Sequence, residues 1–141
     1  MLQIEHWCHA DEKDITRDVA IDRVGKMLTT FMSTATKQGL RLVPVIGVGC
    51  PGVIRKDGSI AGGTQNLPGN WESARFHLPD EIRRRVPRID EHEATVILHN
   101  DAVVQGLSQL PLMDKWRHWG IFTIGTGLGN ARFSARETAA D

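Results

Sequence analysis

The chain has 141 residues, 40% of them hydrophobic and 24% charged, which suits one domain with a real core and is short for two. Seventeen basic and seventeen acidic side chains cancel, so no field of one sign steers the chain to nucleic acid or an anionic membrane. No stretch approaches the ~18 apolar residues of a bilayer span, so a soluble, cytoplasmic protein with no nucleic-acid and no membrane partner is expected.

Residues 1–13 read as an irregular polar segment, without the basic-then-apolar order of a signal peptide. His6, Cys8 and His9 are zinc-ligand types, but no second pair stands at a matching spacing, so no metal is expected. Cys8 and Cys50 fit no CxxC pattern and read as reduced thiols. Asp14 to Gln38 predicts a long amphipathic helix. Asp14 or Thr16 can cap it, and Val19, Val24, Met27, Leu28, Phe31 and Ala35 fall close to one face. Gly39 stands where a left-handed residue ends a helix.

Leu42 to Val48, apolar apart from Pro44, reads as a buried strand stopped by the turn Gly49-Cys50-Pro51-Gly52. Val53 and Ile54 follow, and Lys56-Asp57-Gly58-Ser59 signals a hairpin. Gly62 to Trp71, rich in Gly, Asn and Pro, has the composition of a binding loop. Leu78 to Val86 predicts a short helix, with Pro79, Asp80 and Glu81 in its first turn. Ala94 to Leu98 is a strand ending at His99-Asn100-Asp101, and Ala102 to Gln109 looks helical. Trp119 to Ile124 is a strand running into Gly125-Thr126-Gly127-Leu128-Gly129. Ala131, Phe133 and Ala135 then alternate with Arg132, Ser134 and Arg136 as a returning strand. Strands interleaved with helices predict an α/β fold with parallel pairing.

Three constellations can carry chemistry, each with a plain structural alternative. Gly125 to Gly129 can turn backbone N–H groups and the Thr126 hydroxyl toward phosphate oxygens, or be a simple turn; it matches neither the dinucleotide fingerprint nor a Walker loop. Asn100-Asp101 stands at a strand end, where ligands bind in open α/β sheets. Asp101 there is either a base for a substrate hydroxyl or a helix cap. Thr64 to Trp71 offers amides suited to sugar hydroxyls, or is a surface loop anchored by Leu67 and Trp71. Gly62-Gly63-Thr64 lacks the Asp that precedes such glycines in a phosphate loop, and reads as loop backbone.

Taken in order, Ile46-Gly-Val-Gly-Cys-Pro-Gly-Val, Asp57-Gly-Ser-Ile, Asn66-Leu-Pro-Gly-Asn-Trp71, Asn100-Asp-Ala and Thr123-Ile-Gly-Thr-Gly-Leu-Gly129 resemble the ROK family (repressor, open reading frame, kinase) of bacterial glucokinases and fructokinases. The resemblance spans Asp14 to Phe133. It implies an actin-like (ribonuclease H-like) ATPase lobe, incomplete, with a mixed sheet and helices. Residues 14–118 would be a partial N-terminal sugar-kinase lobe and residues 119–141 the start of the second. It further implies a hexose substrate, with ATP and Mg2+ as the phosphate source. Asp101 would be the catalytic base, Asn66 and Asn100 sugar contacts alongside it, and Gly125, Thr126 and Gly127 the nucleotide-facing phosphate loop.

Members of that family are about twice this length. The opening strands with their Asp-x-Gly-Gly-Thr loop and the part after the second phosphate loop, with its adenosine pocket, have no counterpart here. The expectation is therefore a fragment or truncated form inactive alone, and a non-catalytic sugar-binding or regulatory module is the alternative. A structural domain whose motifs are relics is a third reading. Open strand edges around Trp119 predict self-association as a homo-oligomer, or a refolded tail.

Overall fold

The computed structural model describes residues 4–124 and 128–135. In chain order the elements are α1 (Arg17–Lys37), β1 (Val45–Cys50), β2 (Val53–Ile54), β3 (Ile60–Gly62), α2 (Leu78–Arg85), β4 (Arg88–Ile89), β5 (His92–Glu93), β6 (Thr95–Asn100), α3 (Asp101–Leu107), β7 (His118–Ile124) and β8 (Leu128–Ser134). Short 3-10 turns lie at His9–Asp11 and Leu110–Leu112. Among the described residues no helix is long and apolar enough to cross a membrane.

Thr16 starts α1. Its hydroxyl accepts the Val19 N–H at 3.3 Å, satisfying one of the amides that the first turn leaves unpaired. Asp14, the other candidate cap, sits instead at φ +59. Gly39 takes φ +69 just past the helix. The buried stripe is Ala20, Ile21, Gly25 and Ala35, with Leu28 and Met32 packed on the core, and Val19 stays exposed. This face is turned from the one expected because α2 fixes it. A Cβ on Gly25 would lie 3.0 Å from that of Arg85, and Arg85 reaches Asp22 at 2.6 Å and Glu81 at 2.8 Å. The approach of the neighbouring helix decides which residues are covered.

The strands form four separate pairs. β1 and β6 run parallel, Val45 opposite Thr95 and Cys50 opposite Asn100, while β2–β3, β4–β5 and β7–β8 are antiparallel. Parallel and antiparallel pairing thus both occur among the described strands, in small two-stranded sheets. β2–β3 is bulged between Val53 and Ile54, and β4–β5 has two residues a side, too little ladder to extend a neighbour. The fold is mixed α/β with small sheets, its parallel pair held as the strand–helix alternation predicts.

The first strand begins at Val45, later than its apolar run, because Pro44 has no N–H for a ladder. The Pro44 carbonyl still accepts the Thr95 N–H at 2.9 Å. The strand is half buried rather than buried. Ile46, Cys50, Val96 and Leu98 join Ile21, Leu78, Ile82, Trp71 and Phe76 in the core, whereas Val45 and Ile97 are 45% and 48% exposed. The predicted Asp57-Gly58 hairpin forms: Asp57 Oδ1 accepts the Ser59 N–H at 2.9 Å and the Ser59 hydroxyl at 2.7 Å, with Gly58 at φ +84. A second small hairpin, β4–β5, turns at Asp90, φ +51, and was not foreseen.

Helix α3 packs against both the parallel pair and the β7–β8 hairpin. Phe133 stacks on Trp119 with centroids 4.2 Å apart, and its ring covers Gly106 so closely that a Cβ there would overlap it. Gly106→Val is therefore expected to cost roughly 2 kcal/mol or more of unfolding free energy through overpacking. Urea unfolding measures it, and an unchanged midpoint would mean that the hairpin is not seated on the helix.

Candidate functional site

Several distant stretches of chain border one groove of about 790 Å3. The turn after β1 gives Pro51 and Gly52, and the loop after β3 gives Gly63, Gln65 and Asn66. The β6–α3 junction gives Asn100 and Asp101, and the β7–β8 hairpin gives Thr123, Ile124, Leu128 and Gly129. Gly125, Thr126 and Gly127, the expected phosphate loop, lie outside the described residues.

The loop carrying Asn66 is anchored from below. Trp71 is buried, meets the Phe76 ring edge-on at 5.5 Å, and gives its indole N–H to the Pro68 carbonyl at 2.7 Å. The Leu67 N–H closes a turn onto the Thr64 carbonyl at 2.9 Å. The Thr64 hydroxyl donates to Glu72 Oε1 at 2.8 Å and its N–H to the same oxygen at 3.2 Å. These bonds, the hydroxyl's foremost, hold the Glu72 carboxyl below the usual glutamate range.

Further support comes from the N-terminal part of the chain. His9 Nε2 lies 2.8 Å from the Asn66 carbonyl; a carbonyl only accepts, so this nitrogen carries the proton. Arg17, whose guanidinium lies 4.1 Å from the centroid of the Phe76 ring, bonds the Asn70 carbonyl. His9 thus orients the groove loop. Among the described residues no group of three or more His, Cys, Asp or Glu side chains could hold a metal ion.

Asn100, not Asp101, caps α3. Its Oδ1 accepts the Ala102 N–H at 2.9 Å and its Nδ2 donates to the Gly52 carbonyl at 2.8 Å. One side chain therefore braces the turn after β1 against the start of the helix. Asp101 is the first helical residue, and its Oδ1 lies 2.9 Å from the Ala102 nitrogen. Gly129 brings β8 onto this point: a Cβ there would lie 3.3 Å from that of Ala102 and 3.8 Å from Asp101 Oδ1. Asn66, Asn100 and Asp101 consequently share the groove wall with the residues flanking the expected phosphate loop.

The bracing by Glu72, His9 and the glycines at 52 and 63 was not read from the sequence. One signal was available: Asn70 two residues before Glu72 forms an Asx turn, its Oδ1 accepting the Glu72 N–H at 2.9 Å. Comparison with protein-family models, with curated proteins and with solved structures finds no match to this chain.

Behind the groove, burial first and the charge of Asp101 second push the Cys50 thiol up to about 11. Its thiolate at neutral pH is then about a hundredfold scarcer than that of an ordinary cysteine, while Cys8 is exposed. A disulfide reagent should modify one thiol rapidly in the folded chain and both in denaturant. Equal rates for the two in the native state would contradict this burial.

Proposed function

We propose that the groove binds a hexose and that the chain carries the sugar-facing part of a ROK-type, ATP-dependent sugar kinase with an actin-like fold. What supports the reading is the shared wall: Asn66, Asp101 and the flanks of Gly125–Gly127 border one cavity. A hydroxyl clamp, a base and a phosphate cradle are the parts that phosphoryl transfer requires, because the reaction is mostly positioning and charge stabilisation.

In this reading Asn66 holds sugar hydroxyls through its amide, and Asn100 keeps the wall in place through Gly52. Asp101 accepts the proton of the attacking hydroxyl as its oxygen bonds the terminal phosphorus of ATP and ADP leaves. Asp101 Oδ1 faces the Ala102 amide, leaving the second carboxylate oxygen for the hydroxyl. Gly125, Thr126 and Gly127 are assigned to the nucleotide phosphates. Magnesium would neutralise phosphate charge, and no side chain of this chain is assigned to hold it.

A coupled assay with ATP, magnesium and a panel of hexoses tests the reading. Turnover lost by about 10²–10⁴-fold in Asp101→Asn supports the kinase. Thermal stabilisation by a hexose without turnover supports a non-catalytic sugar-binding module instead. Absence of both turnover and stabilisation would overturn the hexose site.

We also infer self-association through the exposed face of β7–β8, whose Ile124 and Leu128 also border the groove. Phe122, Ile124 and Leu128 are 73%, 86% and 68% exposed there, and Ile124 stands opposite Leu128 in the ladder. An identical copy offers the same apolar face, which a two-fold contact would cover. Sedimentation at rising concentration should show a dimer that Phe122→Ser with Ile124→Ser dissociates. A wild-type chain that stays monomeric throughout would remove the inference.

A further inference from the structure

We propose that Glu72 is a positioning residue of the groove, holding Gln65 and Asn66 at its rim through Thr64. The binding arm of the test below rests on the hexose reading; the structural arm does not.

Thr64 is 4% exposed, a buried polar residue within a loop whose neighbours are largely exposed. A buried hydroxyl and amide need partners, because leaving either unpaired costs its full desolvation. Both find the same atom, Glu72 Oε1, at 2.8 Å and 3.2 Å. The next two residues along the chain are the groove-lining Gln65 and Asn66. Glu72 is itself fixed on the other side: its N–H is taken by Asn70 Oδ1 at 2.9 Å, and it follows the buried anchor Trp71. The carboxylate therefore carries the rigidity of the Trp71 anchor across to the groove.

Packing alone does not supply that rigidity. A shallow surface depression of about 280 Å3, lined by Thr64, Gln65, Leu67, Gly69, Asn70 and Glu72, opens beside this loop. With open space there, directional bonds must fix the rim. The groups set against the carboxylate are the Thr64 hydroxyl and the Thr64 and Gly63 amides, with no charged side chain among them. All three donate, so they favour the ionised form. The bonds are strongest above the ordinary glutamate range and lose their charge assistance as pH falls through the lowered value.

The full chain is compared with Glu72→Ala and Glu72→Gln by amide exchange at Thr64, the Asn66 side-chain resonances and titration with D-glucose. In Glu72→Ala the Thr64 protection should fall about tenfold, the Asn66 resonances should broaden, and the glucose dissociation constant should rise roughly fivefold. Glu72→Gln keeps a neutral acceptor oxygen without the charge and should give intermediate values for all three. Acidification should weaken Thr64 protection in the wild type and leave Glu72→Gln unchanged. If Glu72→Ala does not fold, this pH comparison decides.

Unchanged Thr64 protection in Glu72→Ala overturns the proposal, as does a loosened Thr64 with unchanged Asn66 resonances and glucose affinity. A wild type that binds neither glucose nor any other hexose of the panel, with Thr64 and Asn66 loosened only in Glu72→Ala, overturns the hexose reading and sustains the positioning of the rim.

Discussion

Gly52 and Gly63 pass so close that a Cβ on the second would lie 2.8 Å from the Cα of the first. Both take positive φ, +103 and +88, a region that glycine alone enters without steric cost. A Cβ on Gly52 would overlap the Gly62 carbonyl. The turn after β1 and the loop after β3 can therefore touch backbone to backbone. Asn100 then fastens the same Gly52, through its carbonyl, to the start of α3. Three walls of the groove meet at one residue, and the shape of the cavity follows from that contact.

Much of the fold was legible because its signals are local. Thr16 and Gly39 bracket the long helix, Pro79 opens the short one, and Asp57-Gly58 dictates a hairpin through bonds that span two residues. What escaped depends on contacts across the chain. The face of α1 is fixed by Gly25 against Arg85, a pairing no helical period reveals. The turn at Asp90 carries no glycine to announce it. At the site, Asp101 and Asn66 were nameable from their motifs, but the exchange of the cap from Asp101 to Asn100 required seeing the amide reach Gly52. Glu72 and His9 are ordinary polar residues in the sequence, and only folding turns them toward backbone groups.

The parallel pair at the centre shows what such an arrangement leaves undone. Parallel strands occur almost always with both faces covered, yet here α1 and α2 cover one face of β1–β6, and Val45 and Ile97 remain half exposed on the other. Helix α3 reaches the second face at its carboxyl end, where Gly49 lies 3.6 Å, by its would-be Cβ, from the Asp101 Cα. The covered end of that face is also the groove end. Coverage of the second face is thus greatest where the candidate chemistry sits and least at the opposite end of the strands.

The seat of β7–β8 on α3 has a mechanical side. Phe133 bears on Gly106 near the end of the helix, and Gly129 bears on Ala102 and Asp101 at its beginning. Two seats on one short helix set the tilt of the ribbon as well as its distance, and the second seat lies beside the Asp101 carboxylate.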